Sequence, residues 1–119
     1  MIYVDFNGLK LSKLGLGNMR LPLVDPNDPK SPIDYKEAHK IIDMAYENGI
    51  TYFDTAYVYN SGDSEKCLGQ CMKKYKRDTF YIATKFNIDA NPNYKEVFKE
   101  QLERLQTDYI DFYLIHFMM

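Results

Sequence analysis

Short strand-like runs alternate along this chain with amphipathic stretches of roughly ten to fifteen residues, and few architectures accept that order. Ile50 to Thr55, Thr79 to Lys85 and Tyr109 to His116 read as strands. Ahead of the first, Ala38, Ile41, Ile42, Ala45 and Tyr46 recur at helical spacing. Asp34 with Glu37 resembles a capping box there, and Asn48-Gly49 supplies the stop. A second helix begins near Ser64 and buries Cys67, Leu68, Cys71, Met72 and Tyr75. A third opens on Asn93 and Glu96 as its cap and turns Val97, Phe98, Leu102 and Leu105 inward. Strands and helices in strict alternation mean repeated βαβ units, hence a parallel sheet with right-handed crossovers.

The opening segment differs. Ile2 to Phe6 and Leu9 to Leu11 flank Asn7-Gly8, the dipeptide best suited to a two-residue hairpin turn. Leu14-Gly15-Leu16-Gly17 then fits a brief buried strand, and the loop after it holds Pro22, Pro26, Pro29 and Pro32, which excludes regular structure. The expectation is a β-hairpin followed by four parallel strands and three helices. A doubly wound nucleotide fold is disfavoured, because GLGNMR is not the G-x-G-x-x-G that such folds place after their first strand.

A net charge of −2, from 15 Lys and Arg against 17 Asp and Glu, gives no basic field for a phosphate backbone. Nucleic acid is not an expected partner. No run approaches the roughly 18 apolar residues that read as a membrane span, and MIYVDFNG is not a signal peptide. The expected location is the cytoplasm. Cys67 and Cys71 lie one helical turn apart and read as small core residues, with no disulfide and no metal-ligating set. His39 and Asp111 read as structural, Asp108 as a cap at the last strand's N-terminal end.

The informative pattern is the position of ionisable groups at strand ends. Asp54 is next to last in its strand, and Lys85 and His116 are last in the two that follow. Side chains alternate, so Tyr52 shares a face with Asp54, Tyr81 and Ala83 with Lys85, and Phe112 and Leu114 with His116. If those faces point inward, the three groups converge at the carboxyl edge, where parallel α/β enzymes hold their active sites.

Tyr52-Phe53-Asp54-Thr55-Ala56-Tyr57-Val58-Tyr59, Ala83-Thr84-Lys85 and the run from Asp108 to His116 resemble the three signature regions of the aldo-keto reductases. The hairpin and Leu14 to Pro22 are similar to that family's opening, most of all to bacterial members with Met-Arg-Leu-Pro after the first strand, some of which carry a ferredoxin-like C-terminal extension. The resemblance implies a (β/α)8 barrel that binds NADPH and reduces aldehydes or ketones. Residues 1–119 would form the N-terminal half of that barrel, an incomplete domain. Carried over by motif, the catalytic residues are Asp54, Tyr59, Lys85 and His116, with Gly17, Asn18, Met19 and Asp54 near the nicotinamide.

Those residue types suit the chemistry. Hydride arriving at a carbonyl carbon leaves charge on oxygen, which needs a proton donor and fixed dipoles about 3 Å away. Tyr59 would donate the proton, Lys85 would favour its phenolate form, Asp54 would hold Lys85, and His116 would orient the carbonyl. Tyr57 is expected to be a substrate-pocket wall. The family's later strands grip the cofactor's phosphates, so the chain alone is expected to retain NADP(H) poorly. An open inward face bearing Tyr52, Tyr81, Phe112 and Leu114 would then recruit a second copy or a missing C-terminal half. The alternative function is a non-catalytic interaction module that keeps the reductase architecture.

Overall fold

The computed structural model describes residues 1–116; the expectation that Phe117, Met118 and Met119 trail the last strand lies outside the described residues. Strands β1 (Tyr3–Phe6) and β2 (Leu9–Ser12) pair antiparallel with Phe6 opposite Leu9. That register leaves Asn7 and Gly8 as the turn, and both take positive φ, 50° and 84°, as a type I′ hairpin requires.

The remaining elements alternate as read from the sequence: β3 (Leu16–Gly17), α1 (Tyr35–Glu47), β4 (Tyr52–Asp54), α2 (Asp63–Met72), β5 (Tyr81–Phe86), α3 (Tyr94–Leu105) and β6 (Phe112–Ile115). The four later strands form one parallel sheet in the order β3-β4-β5-β6, the arrangement that the resemblance implies for the first half of a (β/α)8 barrel. Asp34 caps α1 by accepting from the Glu37 N–H at 3.2 Å, and Asn93 caps α3 by accepting from Glu96 at 3.1 Å. Each such cap contributes about 1 kcal/mol.

The core lies between the sheet and the helices. Phe53 and Ile82 on the outer face of β4 and β5 pack with Ala38, Ile42 and Ala45 of α1, Leu68 and Met72 of α2, and Leu105 of α3. Gly69 lets α2 approach α3, since a Cβ there would lie 2.5 Å from the Arg104 carbonyl. The opposite face carries Tyr52, Tyr81 and Phe112, whose rings meet at 5.4 and 6.2 Å. Phe6 of the hairpin reaches Phe112 at 6.1 Å, and Ser12 and Thr51 exchange two hydrogen bonds of 2.9 Å. The hairpin thereby floors the inner face, so its aromatic end is half-buried where the sequence suggests an open surface, while Leu114 stays exposed.

Three local expectations are corrected. Leu14 is 59% exposed and precedes a strand of only two residues, because it belongs to the turn leaving the hairpin. Ile41 is 42% exposed, since the buried stripe of α1 runs through Ala38, Ile42 and Ala45 and leaves it on the flank. Asp108 is exposed and does not cap the last strand; Asp111 ties that strand instead, accepting from the Ile82 N–H at 2.9 Å and from Arg77 at 2.8 Å.

Candidate active site

Parallel pairing brings the strand ends to one edge. Asp54 ends β4, Lys85 lies one residue before the end of β5, and His116 follows β6, where its N–H bonds the Phe86 carbonyl at 2.8 Å. The Lys85 ammonium donates to Asp54 Oδ2 at 2.8 Å and to the Thr55 carbonyl at 2.6 Å. The pair is only partly withdrawn from water, with 13% of the Lys85 and 30% of the Asp54 side chain exposed. The pair therefore avoids the full desolvation cost of a dry ion pair. Partial burial and the nearby Lys85 charge hold the His116 imidazole below its usual range, against an upward pull from Asp54.

The fourth group arrives on the loop after β4. That loop runs beside β5, with Thr55 N–H bonded to the Ala83 carbonyl at 2.9 Å and Tyr57 N–H to the Lys85 carbonyl at 3.4 Å. Asn60, Ser61 and Gly62 then all take positive φ, 53°, 54° and 94°. Two consecutive non-glycine residues in that region store strain of the sort that clusters at functional sites. The reversal sets the Tyr59 ring 4.8 Å below the Lys85 ammonium and 6.0 Å from the His116 ring, edge to face. Asp54, Tyr59, Lys85 and His116 thus share one small site.

Tyr57 goes the other way, which corrects its expected place in the pocket wall. Its hydroxyl donates to Glu100 of α3 at 3.2 Å, and the Arg104 guanidinium lies 4.3 Å over its ring. That is the side of Phe53, whose parity Tyr57 shares; Tyr59 has the same parity and reaches the site only because β4 ends at Asp54 and the strand period stops there.

Of the residues expected near a nicotinamide, Gly17 stands opposite Asp54 in the β3–β4 register. A Cβ on Gly17 would meet nothing within 4 Å, so the space above these two strand ends is open. Met19 is 54% exposed beside it. Asn18 does not front that space: it is fully buried, and its amide donates to the Asp54 carbonyl at 2.9 Å, clamping β3 to β4. A hollow of about 430 Å3 lies between the proline-rich loop and Asn60, lined among others by Met19, Leu21 and Pro29. A larger one, about 560 Å3, opens between the ends of α2 and α3, lined among others by Met72, Phe80 and Leu102, and it contains none of these four residues.

Sequence reading missed a polar group behind the sheet. Glu65, Gln101 and Arg104 join Thr84 in the buried layer. A signal existed: Glu65 lies three residues before Leu68 and seven before Met72, on the helix face that the apolar residues mark as buried.

Cys67 and Cys71 are free and buried, and burial pushes both thiols up to about 12. No helix among the described residues is long and apolar enough to cross a membrane.

Residues 13–119 match the sequence profile of the aldo/keto reductase family. A probable aldo-keto reductase of Glycine max is 33% identical over 92% of this chain and 34% of its own length. The holo form of an aldo-keto reductase from Bacillus halodurans superposes with a TM-score of 0.74 at 34% identity, covering 91% of this chain and 37% of that one. An aldo-keto reductase of Klebsiella pneumoniae, solved with NADPH, shares the fold with a TM-score of 0.79 at 23% identity, over 95% and 38% of the two chains. The chain spans about a third of the length of the curated relatives it matches.

Proposed function

The chain belongs to the aldo/keto reductase family, and from that premise we propose that it supplies the acid–base half of an NADPH-dependent reductase of aldehydes or ketones. The observation that carries the reading is the Lys85 ammonium, fixed by Asp54 and the Thr55 carbonyl and held 4.8 Å from the Tyr59 ring.

The residues at the open strand ends suit a nicotinamide. Gly17 presents no side chain to obstruct it, Met19 offers an exposed apolar side chain, and Asp54 lies across from Gly17. When bound, the cofactor supplies hydride to the carbonyl carbon. Tyr59 gives its hydroxyl proton to the carbonyl oxygen, and the Lys85 charge stabilises the phenolate left behind. Asp54 keeps that charge aimed rather than neutralising it in bulk water. His116, its imidazole held toward the neutral form, orients the carbonyl oxygen through an N–H rather than competing as the acid.

An assay of the intact native protein for loss of NADPH absorbance with an aromatic aldehyde tests this. Turnover that disappears in Lys85→Met supports a reductase. A folded protein with no turnover would favour the rival reading, an interaction module built on the reductase architecture. Residues 1–119 by themselves are expected to bind NADPH weakly or not at all and to self-associate through the inner face. Sedimentation with an NADPH fluorescence titration checks both, and a monomer binding NADPH at about micromolar concentration would contradict them.

A further inference from the structure

The helix layer behind the sheet reaches the backbone of both segments that carry Lys85 and Tyr59. Its anchor is Glu65, fully buried on α2. The Glu65 carboxylate accepts from Thr84 at 2.7 Å, from the Gln101 amide at 2.8 Å and from the Arg104 guanidinium at 3.0 Å. A carboxyl group so far from water persists only with such a set of donors. From that anchor two side chains of α3 continue to the main chain. Gln101 donates to the Lys85 carbonyl at 3.0 Å and accepts from the Tyr113 hydroxyl of β6 at 2.6 Å. Arg104 donates to the Tyr57 carbonyl at 2.9 Å and lies over the Tyr57 ring.

We propose that Gln101 and Arg104, organised on Glu65, are positioning residues that set the separation of the Lys85 ammonium and the Tyr59 phenol by gripping the Lys85 and Tyr57 carbonyls. The inference rests on the reductase reading for its consequence in turnover, and on geometry alone for the rest. At Lys85 the contact from the neighbouring loop is weak, since the Tyr57 N–H reaches that carbonyl only at 3.4 Å, and Gln101 supplies the shorter bond. At Tyr57 the grip acts two residues before Tyr59. Beyond Tyr59 the left-handed turn ends at Gly62, where a Cβ would lie 2.8 Å from the Arg104 guanidinium carbon. The same guanidinium therefore bounds the loop on both sides of Tyr59. Small misplacements of an acid relative to its substrate cost up to about 10²-fold in rate, so a grip on the backbone has a kinetic consequence although neither side chain faces the site.

The test uses the intact native protein with Gln101→Met, Arg104→Ala and a control that removes a similarly bonded side chain away from the site, Arg77→Met. Arg77 ties Phe80, Thr107 and Asp111 at the opposite end of the strands. The structural readout is the NMR cross-peak between the Tyr59 and His116 rings; the kinetic readout is kcat and KM for an aldehyde. Gln101→Met and Arg104→Ala should weaken the cross-peak and lower kcat by about 10- to 10²-fold with little change in KM. Millimolar guanidinium, but not ammonium, should restore part of the Arg104→Ala loss. Arg77→Met should keep both the cross-peak and kcat. The inference is overturned if the folded Gln101→Met and Arg104→Ala proteins retain the cross-peak and kcat, or if Arg77→Met reproduces their losses. Should Arg104→Ala not fold, Gln101→Met decides alone. A Tyr59→Phe protein that turns over normally would sink the reductase reading instead, and the cross-peak series would still judge the positioning.

Discussion

The two faces of the β4–β5 pair are built from alternate residues of the same short strands, yet they treat charge in opposite ways. Outward, Phe53, Ile82 and Thr84 are sealed beneath the helices, and the carboxyl group admitted there, Glu65, is fully buried. Burial pushes Glu65 above the usual carboxyl range, and bonds from Thr84, Arg104 and Gln101 pull it back. Inward, Asp54 keeps partial contact with water and needs only Lys85. The difference teaches what each environment asks of a carboxylate: the half-solvated face holds one with a single cation, while the dry face requires a full set of donors.

The largest effect expected from this contrast is in packing. Phe53→Ala should cost about 3–5 kcal/mol, because the cavity opens in the sealed layer. Tyr52→Ala, one residue away but half-exposed on the hairpin side, should cost under about half of that. Denaturant unfolding measures both, and equal losses would break the distinction between the faces.

The two carboxylates give the next comparison. Glu65→Ala strands Arg104 and two polar donors in the buried layer and should cost about 3 kcal/mol. Asp54→Ala leaves Lys85 free to turn to water and should cost about 1 kcal/mol or less. Chevron or equilibrium unfolding of the pair sharpens the contrast, and a reversed order would contradict it.

The smallest effect is electrostatic. His116 is held below its ordinary value of 6.5 by burial and by Lys85. Its neutral form is thus favoured by folding, so the stability linked to it is present above the unfolded-state value and is lost as pH falls through the lower folded value. An NMR titration of the His116 ring should give a midpoint below 6.5. Lys85→Met should move that midpoint up and Asp54→Asn should move it down. Shifts in the opposite directions would remove the argument that these charges act on the imidazole.

How much of this was legible follows from what each feature depends on. The order of elements was readable, because the hairpin rests on Asn7-Gly8, both longer caps on Asp34 and Asn93, and the helices on apolar periodicity. The convergence of Asp54 and Lys85 followed from alternation, which holds while a strand lasts. Tyr57 has the parity of Phe53 and lies with it behind the sheet, whereas Tyr59, of the same parity, reaches the site because β4 ends at Asp54 and the loop beyond it turns through three left-handed residues instead of keeping a strand period. The Glu65 group was not assembled from sequence because its members come from α2, β5 and α3, and only tertiary packing brings them together. The floor under Phe112 likewise depends on where the hairpin docks, which no local pattern encodes.

The central claim, that Tyr59 and not Tyr57 delivers the proton, is tested most directly by comparing Tyr59→Phe with Tyr57→Phe in steady-state reduction of an aldehyde by the intact native protein. The account predicts a fall in kcat of about 10² or more for Tyr59→Phe. It predicts a far smaller change for Tyr57→Phe, whose hydroxyl is engaged with Glu100 behind the sheet. A larger loss in Tyr57→Phe than in Tyr59→Phe would contradict it.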